Sequence, residues 1–339
     1  DGASYQSNSL VIRDGELYLV EHYVNDSYGY QESHKEHHID LGEPVKQVFY
    51  DYRPFAVTES NVVYLISWNS NYVISEENLF ADAIVVETFE DENGALKDIK
   101  FKNTDTFNFG FDIVDEIADK YPDKLAMLHI SKDKTERRIT FKDVKKNSAQ
   151  AANYFKSLGI KKGDRVMLVL KRHYQYWYAM IALNKLGAIA IPAPNQLQEH
   201  DFEYRFQAAG VKAILCTADG DTAHQIDLAA KTCPDLQHKI IVNGEREGWR
   251  NFDEERVLFS THYERGEDAP GGDDLMLMFF TSGTTGYPKI AAHNYKYALG
   301  HFHTAKYWHN VDPEGLHFTI SDTGWAKSMW GKLYGQWLC

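Results

Sequence analysis

Cysteine is scarce in this 339-residue sequence: Cys216, Cys233 and Cys339 are all there is. Three scattered thiols cannot build a disulfide framework, and they lack the spacing of a zinc site, which excludes the small disulfide-stapled class. A reducing, cytoplasmic setting is the expectation. No apolar run approaches the ~20 residues a helix needs to cross a bilayer. Neither a signal peptide nor a starting Met is present, and the opening at Asp1 and the end at Cys339 both read as cuts. Basic charge is also short, with 36 Lys and Arg against 49 Asp and Glu, for a net −13. The whole excess lies in residues 1–100, which hold 19 acids and 6 bases, while the remainder holds 30 of each. An acidic front argues against nucleic acid as a partner, because phosphate contacts need clustered Lys and Arg. So complete a break in charge points to two units with separate histories, the first dispensable for folding of the second.

What the front part does have is β pattern. Apolar residues alternate through Leu10–Ile12 and Leu17–Val24, and Asp14-Gly15 between them is a favoured tight-turn pair, so residues 9–24 read as a hairpin. The pattern returns 46 positions later: SLVIRDGELYLV (9–20) aligns with FAVTESNVVYLI (55–66), sharing Val11/Val57, Tyr18/Tyr64 and Leu19/Leu65, with Ser60-Asn61 in the turn position. Such a period suits an array of small sheets. The stretch 42–67 resembles a blade of the β-propeller repeat of the regulator-of-chromosome-condensation type; the alternative is a small antiparallel sheet. His34, His37 and His38 have a spacing that shares a helical face and suits a metal, but flanking Lys and Glu favour a solvated loop. The expected organisation is a β-rich segment over 1–75, an acidic, irregular junction over 76–104, and an α/β domain over 105–339.

From about Thr106 helices and strands alternate. Ile113, Val114, Ile117, Ala118 and Tyr121 form a helical stripe that Pro122 ends. Thr140 with Asp143 marks a helix start, and Gly159 a stop after Leu158. Val166–Leu170 is a continuous apolar strand, as in a sheet covered on both faces. Helix over 174–186, strand 188–191, helix 202–209, strand 213–216, helix 223–231 and strand 239–242 continue the alternation, which predicts an α/β fold with mostly parallel sheets flanked by helices.

The segment that carries chemistry is LMLMFFTSGTTGYPK, Leu275–Lys289. An apolar strand, 275–280, runs into a loop of hydroxyls, glycines and one lysine. Thr281, Ser282, Thr284 and Thr285 offer hydroxyls, Gly283 and Gly286 let backbone amides approach an anion, and Lys289 supplies a mobile positive charge. The Walker loop is excluded, because Tyr287 and Pro288 separate the last glycine from the lysine.

TSGTTGYPK resembles the phosphate-loop signature of the adenylate-forming superfamily. ITFKDVKKNSAQAANYFKSLGIKKGDRVMLVLKRHYQYWYAMIALNKLGAIAIPAPNQL (139–197) is similar to the front of acyl-CoA synthetases, and SDTGWAKSMWGKLYGQW (321–337) to the Gly-Trp segment of those acting on short- and medium-chain acids. The resemblance runs from about residue 106 to the last and implies the N-terminal part of the family's large domain. It implies that Thr281–Lys289 wraps the phosphates of ATP with Mg²⁺, that Gly324 and Trp325 line the acyl and pantetheine tunnel, and that Gln196 contacts coenzyme A. His293 follows the loop where the family often has His, and Trp325 has core packing as its other reading, as do Trp330 and Trp337. The implied activity is that of an acid–CoA ligase (AMP-forming).

No catalytic acid, base or nucleophile is assigned, and no protein metal ligand. The family's magnesium-holding acid, its ribose-binding Asp and the lysine of its small C-terminal domain cannot be placed here, so activity is expected only in a fuller context. The alternative is an inactive nucleotide- or acid-binding fragment joined to a β-repeat interaction module. A peptide-synthetase adenylation domain is a third reading, which the Gly-Trp segment disfavours.

Overall fold

In the computed structural model the described residues are 4–14, 16–25, 31–39, 45–51, 53–58, 63–66, 74–75, 86–90, 96–282 and 286–339. They fall into two units, Asp1–Asp82 and Ala83–Cys339.

In the first unit β1 (Ser4–Arg13) pairs antiparallel with β2 (Glu16–Asn25), and Arg13 faces Glu16. Two residues therefore make the turn, and Asp14 has the positive φ of 53° that such a turn demands. β3 (Gln31–Ile39) adds beside β2. A second sheet follows in the order β4 (Val45–Asp51), β5 (Arg53–Thr58), β6 (Val63–Ile66), β7 (Ile74–Ser75). The repeated pattern thus falls on the β1–β2 and β5–β6 hairpins; the Ser60-Asn61 pair lies outside the described residues. His34, His37 and His38 sit within β3, on neither a helix nor a loop.

The second unit begins with a hairpin, β8 (Val86–Glu90) and β9 (Leu96–Phe101), within the stretch read as irregular junction. A π-helical turn over Gly110–Asp115 leads into α1 (Glu116–Lys120) and buries Ile113 and Val114; Tyr121, expected in the stripe, is 42% exposed. β10 (Leu125–Ile130) and β11 (Glu136–Thr140) form another hairpin that the sequence pattern did not reveal.

The centre is a seven-stranded sheet of β12 (Arg165–Val169), β13 (Ile189–Pro192), β14 (Val211–Thr217), β15 (His238–Val242), β16 (Arg250–Asn251), β17 (Leu275–Thr281) and β18 (Lys289–Asn294), in the order β16-β15-β14-β12-β13-β17-β18. All neighbours are parallel except β18, which runs back along β17. The helices are α2 (Phe141–Ser157), α3 (Gln175–Leu186), α4 (Glu199–Ala209), α5 (Thr222–Ala230) and the shorter α6 (Phe252–Glu255), α7 (Lys296–Leu299), α8 (Ala326–Lys332) and α9 (Tyr334–Leu338). A reciprocal cap starts α2, with Asp143 N–H donating to Thr140 Oγ1 at 3.2 Å and Thr140 N–H to Asp143 Oδ2 at 3.0 Å. Every residue of α3 is buried, the polar Gln175, Asn184 and Lys185 among them, and Gly187 at φ 82° ends it.

Met167 and Val169 of β12 pack with Phe202 and Phe206 of α4 and Ile226 of α5 on one face. The β12–β13 and β13–β14 connections run in opposite directions across the sheet, so right-handed crossovers put α3 and α4 on opposite faces. The chain order therefore reverses at β12. A crevice outside the carboxyl ends of such strands is where an open α/β sheet binds ligands.

Candidate functional site

β13 and β17 are parallel neighbours, Ala190 opposite Leu277, so their carboxyl ends reach the same edge of the sheet. β17 delivers Thr281 and Ser282 there, both exposed, and β18 returns with Lys289 opposite Thr281. The predicted anion loop is thus the tip of a β-hairpin. Thr281 Oγ1 donates to the Lys289 carbonyl at 3.4 Å across its base. Gly286 is left-handed at φ 85° with open space where a Cβ would sit, Tyr287 is 71% exposed, and Lys289 faces solvent. Gly283, Thr284 and Thr285 lie outside the described residues. Hydroxyls, open glycine backbone and an ammonium together fit a polyphosphate.

The hairpin leans on α4. Tyr204 donates its hydroxyl to the Pro288 carbonyl at 2.8 Å and stacks on Tyr287 with centroids 4.6 Å apart. Its edge meets Phe280, and the next residue, Arg205, lays its guanidinium over the same Phe280 ring.

The segment 321–332 lies against the carboxyl ends of β12 and β13. Thr323 is buried and gives both its N–H and its hydroxyl to the Lys171 carbonyl, just past β12. Asp322 Oδ1 accepts from Gly324 N–H at 2.9 Å, and Ser328 Oγ donates to the Trp325 carbonyl at 2.8 Å. A Cβ on Gly324 would stand 2.4 Å from backbone atoms of Ala193 and Pro194, so only glycine fits there. Trp325, held by this framework, is 60% exposed, which sets aside core packing for it; Trp337 is buried, and Trp330 stacks on His309. Gln196 is exposed in the loop after β13.

Some of the crevice was not read from the sequence. Lys171 adopts a left-handed φ of 48° and points its ammonium at Asp219, 3.6 Å from Oδ2. His173 Nε2 sits 2.8 Å from Thr217 Oγ1; burial lowers its pKa, and Asp219 works against that shift. A Lys-Arg-His run directly after a buried strand was the available signal. His293, on β18, lies between Phe279 and Tyr297, and burial lowers its pKa too. A cavity of about 970 Å³ lined by His303, Trp308, His309, His317, Phe318 and Trp330 borders the same 321–332 segment through Lys327 and Trp330, and neither Trp325 nor any described residue of the hairpin tip lines it.

Residues 114–334 match the family described as AMP-binding enzyme. The chain belongs to that family. Among AMP-binding relatives, human mitochondrial acyl-coenzyme A synthetase ACSM3 is 31% identical over 74% of this chain and 44% of its own length. Mitochondrial acyl-coenzyme A synthetase ACSM5 of Rattus norvegicus is 35% identical over 68% of this chain and 40% of its own. The chain therefore spans under half the length of these relatives. The same fold occurs in an acyl-CoA synthetase from Brucella canis, with a TM-score of 0.59 at 24% identity over 68% of this chain and 41% of that one. It occurs also in the anthranilate CoA ligase AuaEII, with a TM-score of 0.59 at 23% identity over 69% of this chain and 44% of the other. Family and fold class agree with the resemblance drawn from TSGTTGYPK.

Proposed function

We propose that this chain carries the phosphate- and acyl-binding part of an acid–CoA ligase (AMP-forming) acting on a short- or medium-chain carboxylic acid. The supporting observation is that the exposed Thr281, Ser282 and Lys289 at the joined ends of β17 and β18, and the Trp325 turn packed against the chain just past β13, stand at one edge of the sheet. The chemistry brings a carboxylate to the α-phosphorus of ATP, although both partners are anionic. Hydroxyls and amides of the tip and the Lys289 ammonium neutralise the polyphosphate and stabilise the pyrophosphate as it departs. The mixed anhydride of acid and AMP is then open to the thiol of coenzyme A, which displaces AMP; Gln196 stands on that side. Mg²⁺ would enter with the nucleotide, whose phosphates supply part of its ligand set.

No described helix is long and apolar enough to cross a membrane. Cys216 and Cys233 are free and buried, which supports a reducing compartment, cytoplasmic or mitochondrial.

The test is calorimetric titration of the chain with MgATP and with pyrophosphate. Binding of both, weakened at least tenfold when Lys289 and Thr284 are replaced together by Ala, is the expected result. Binding indifferent to those replacements would place the nucleotide elsewhere and overturn this reading.

A further inference from the structure

The described residues of the anion loop, Thr281, Ser282, Gly286, Tyr287 and Lys289, are exposed, and an exposed glycine-rich loop loses any preset geometry unless something outside it fixes it. The structure shows a device that does so. Tyr204 sits on α4, whose neighbours Phe202 and Phe206 are buried in the core, so its backbone is rigidly placed. From there its hydroxyl donates to the Pro288 carbonyl at 2.8 Å, while its ring stacks on Tyr287 at an interplanar angle of 19°.

The choice of that carbonyl matters. The Pro288 C=O and the Lys289 N–H belong to one planar peptide unit, so a bond to the oxygen sets the direction of the amide on the other side. Proline adds a fixed φ to the same position. Lys289 then enters β18 opposite Thr281, whose hydroxyl closes the base of the hairpin. Two contacts from one side chain therefore orient the residues on which Lys289 stands.

We propose that Tyr204 is a positioning residue for the phosphate loop: it presets the Tyr287–Lys289 backbone for a polyphosphate without touching the ligand itself. This rests on the reading of Thr281–Lys289 as the phosphate site, and the experiment separates the two. The replacement Tyr204→Phe keeps the stack on Tyr287 and deletes the hydroxyl; Tyr204→Ala deletes both.

Two readouts are taken on the whole chain. Hydrogen exchange without ligand follows the amides of Gly286, Tyr287 and Lys289, with Val166–Val169 of β12 as internal control. Titration with pyrophosphate follows affinity. For Tyr204→Phe, exchange at the three loop amides should accelerate roughly two- to tenfold, the range of one neutral hydrogen bond, with β12 unchanged. Pyrophosphate affinity should fall by a similar factor, and further in Tyr204→Ala. Unaltered loop exchange in the Phe variant, or equal acceleration in β12, would overturn the proposal. Loop exchange that accelerates alone in a chain that binds no pyrophosphate would instead sink the phosphate reading, leaving Tyr204 as an anchor of a loop with another task.

Discussion

Gly324 and Trp325 are adjacent, yet opposite arguments fix them. At Gly324 a Cβ would collide with the backbone of Ala193 and Pro194, which cannot rotate away, so Gly324→Ala should destabilise by about 1–3 kcal/mol in urea unfolding. Trp325 is mostly exposed, so Trp325→Ala should leave stability within about 0.5 kcal/mol. Its effect belongs to selectivity. In a ligase carrying this segment, kcat/KM should shift toward longer or bulkier acids by about 1–3 kcal/mol, and an unchanged chain-length profile would deny Trp325 a place in the tunnel. His301 makes a different prediction at the same scale. Burial, with like-charge repulsion from His303, His293 and His309, lowers its pKa to about 4, and its ring meets Tyr297 edge-on at 4.5 Å. An unfolded-chain histidine titrates near ~6.5. Between the two values the unfolded state holds the proton and the folded state does not, so stability is full above about 6.5 and falls as pH drops toward 4. His293 and His317, also lowered, act in the same direction. Urea midpoints at neutral and mildly acidic pH should therefore separate less for His301→Phe than for the parent chain. Equal separation would assign the acid sensitivity to other groups.

Elements were legible where their signals are local. The cap that starts α2 is a case: Thr140 and Asp143 are three residues apart, and each satisfies the other's backbone N–H. Thr140→Ala should cost about 1 kcal/mol by urea unfolding, and a loss below a few tenths would mean that packing alone holds this end. The buried strand at Val166–Leu170, the helix over 174–186 and the stop at Gly159, which has φ 76°, were readable for the same reason. β18 was not. Lys289–Asn294 has little β character of its own and is a strand because β17 offers it an edge. The exposed face of β11 likewise hid its alternation. The histidines of β3 were expected in a solvated loop because Lys and Glu flank them, whereas pairing with β2 makes the stretch a strand. At the candidate site, the loop motif and the Gly-Trp pair were found as contiguous strings. Lys171, His173, Thr217 and Asp219 meet only because two crossovers bring the ends of β12 and β14 together, and Tyr204 reaches Pro288 across 84 positions. No local pattern encodes such meetings.

At the scale of the molecule, the charge break and the division into compact units do not coincide. Acidic excess runs to about residue 100, whereas the units part between Asp82 and Ala83, because β8 and β9 belong together in the second. We propose Ala83–Cys339 as the autonomous folding unit. A polypeptide starting at Ala83 should melt cooperatively with the parent's main transition, and one starting at Lys100, which removes β8 and most of β9, should melt lower; equal melting would make the β8–β9 hairpin an appendage. What such a unit can catalyse is a separate question. Its described residues supply an anion loop, a positioned tryptophan and a crevice at the switch of chain order. The relatives are more than twice as long as the stretch they share with this chain. Stabilising charge at the α-phosphorus requires several donors placed together, and loss of one such donor typically lowers a rate by about 10²–10³. We therefore expect binding without turnover. Carboxylate-dependent exchange of labelled pyrophosphate into ATP should be undetectable for the 339-residue chain. It should appear in a longer polypeptide that continues through a magnesium-holding acid and a lysine-bearing domain, and vanish there when Lys289 and Thr284 are both changed to Ala. Robust exchange by the shorter chain would refute the expectation and direct attention to Asp322. That carboxylate adjoins the Trp325 turn and spends one oxygen on Gly324 N–H, leaving the other available to a metal.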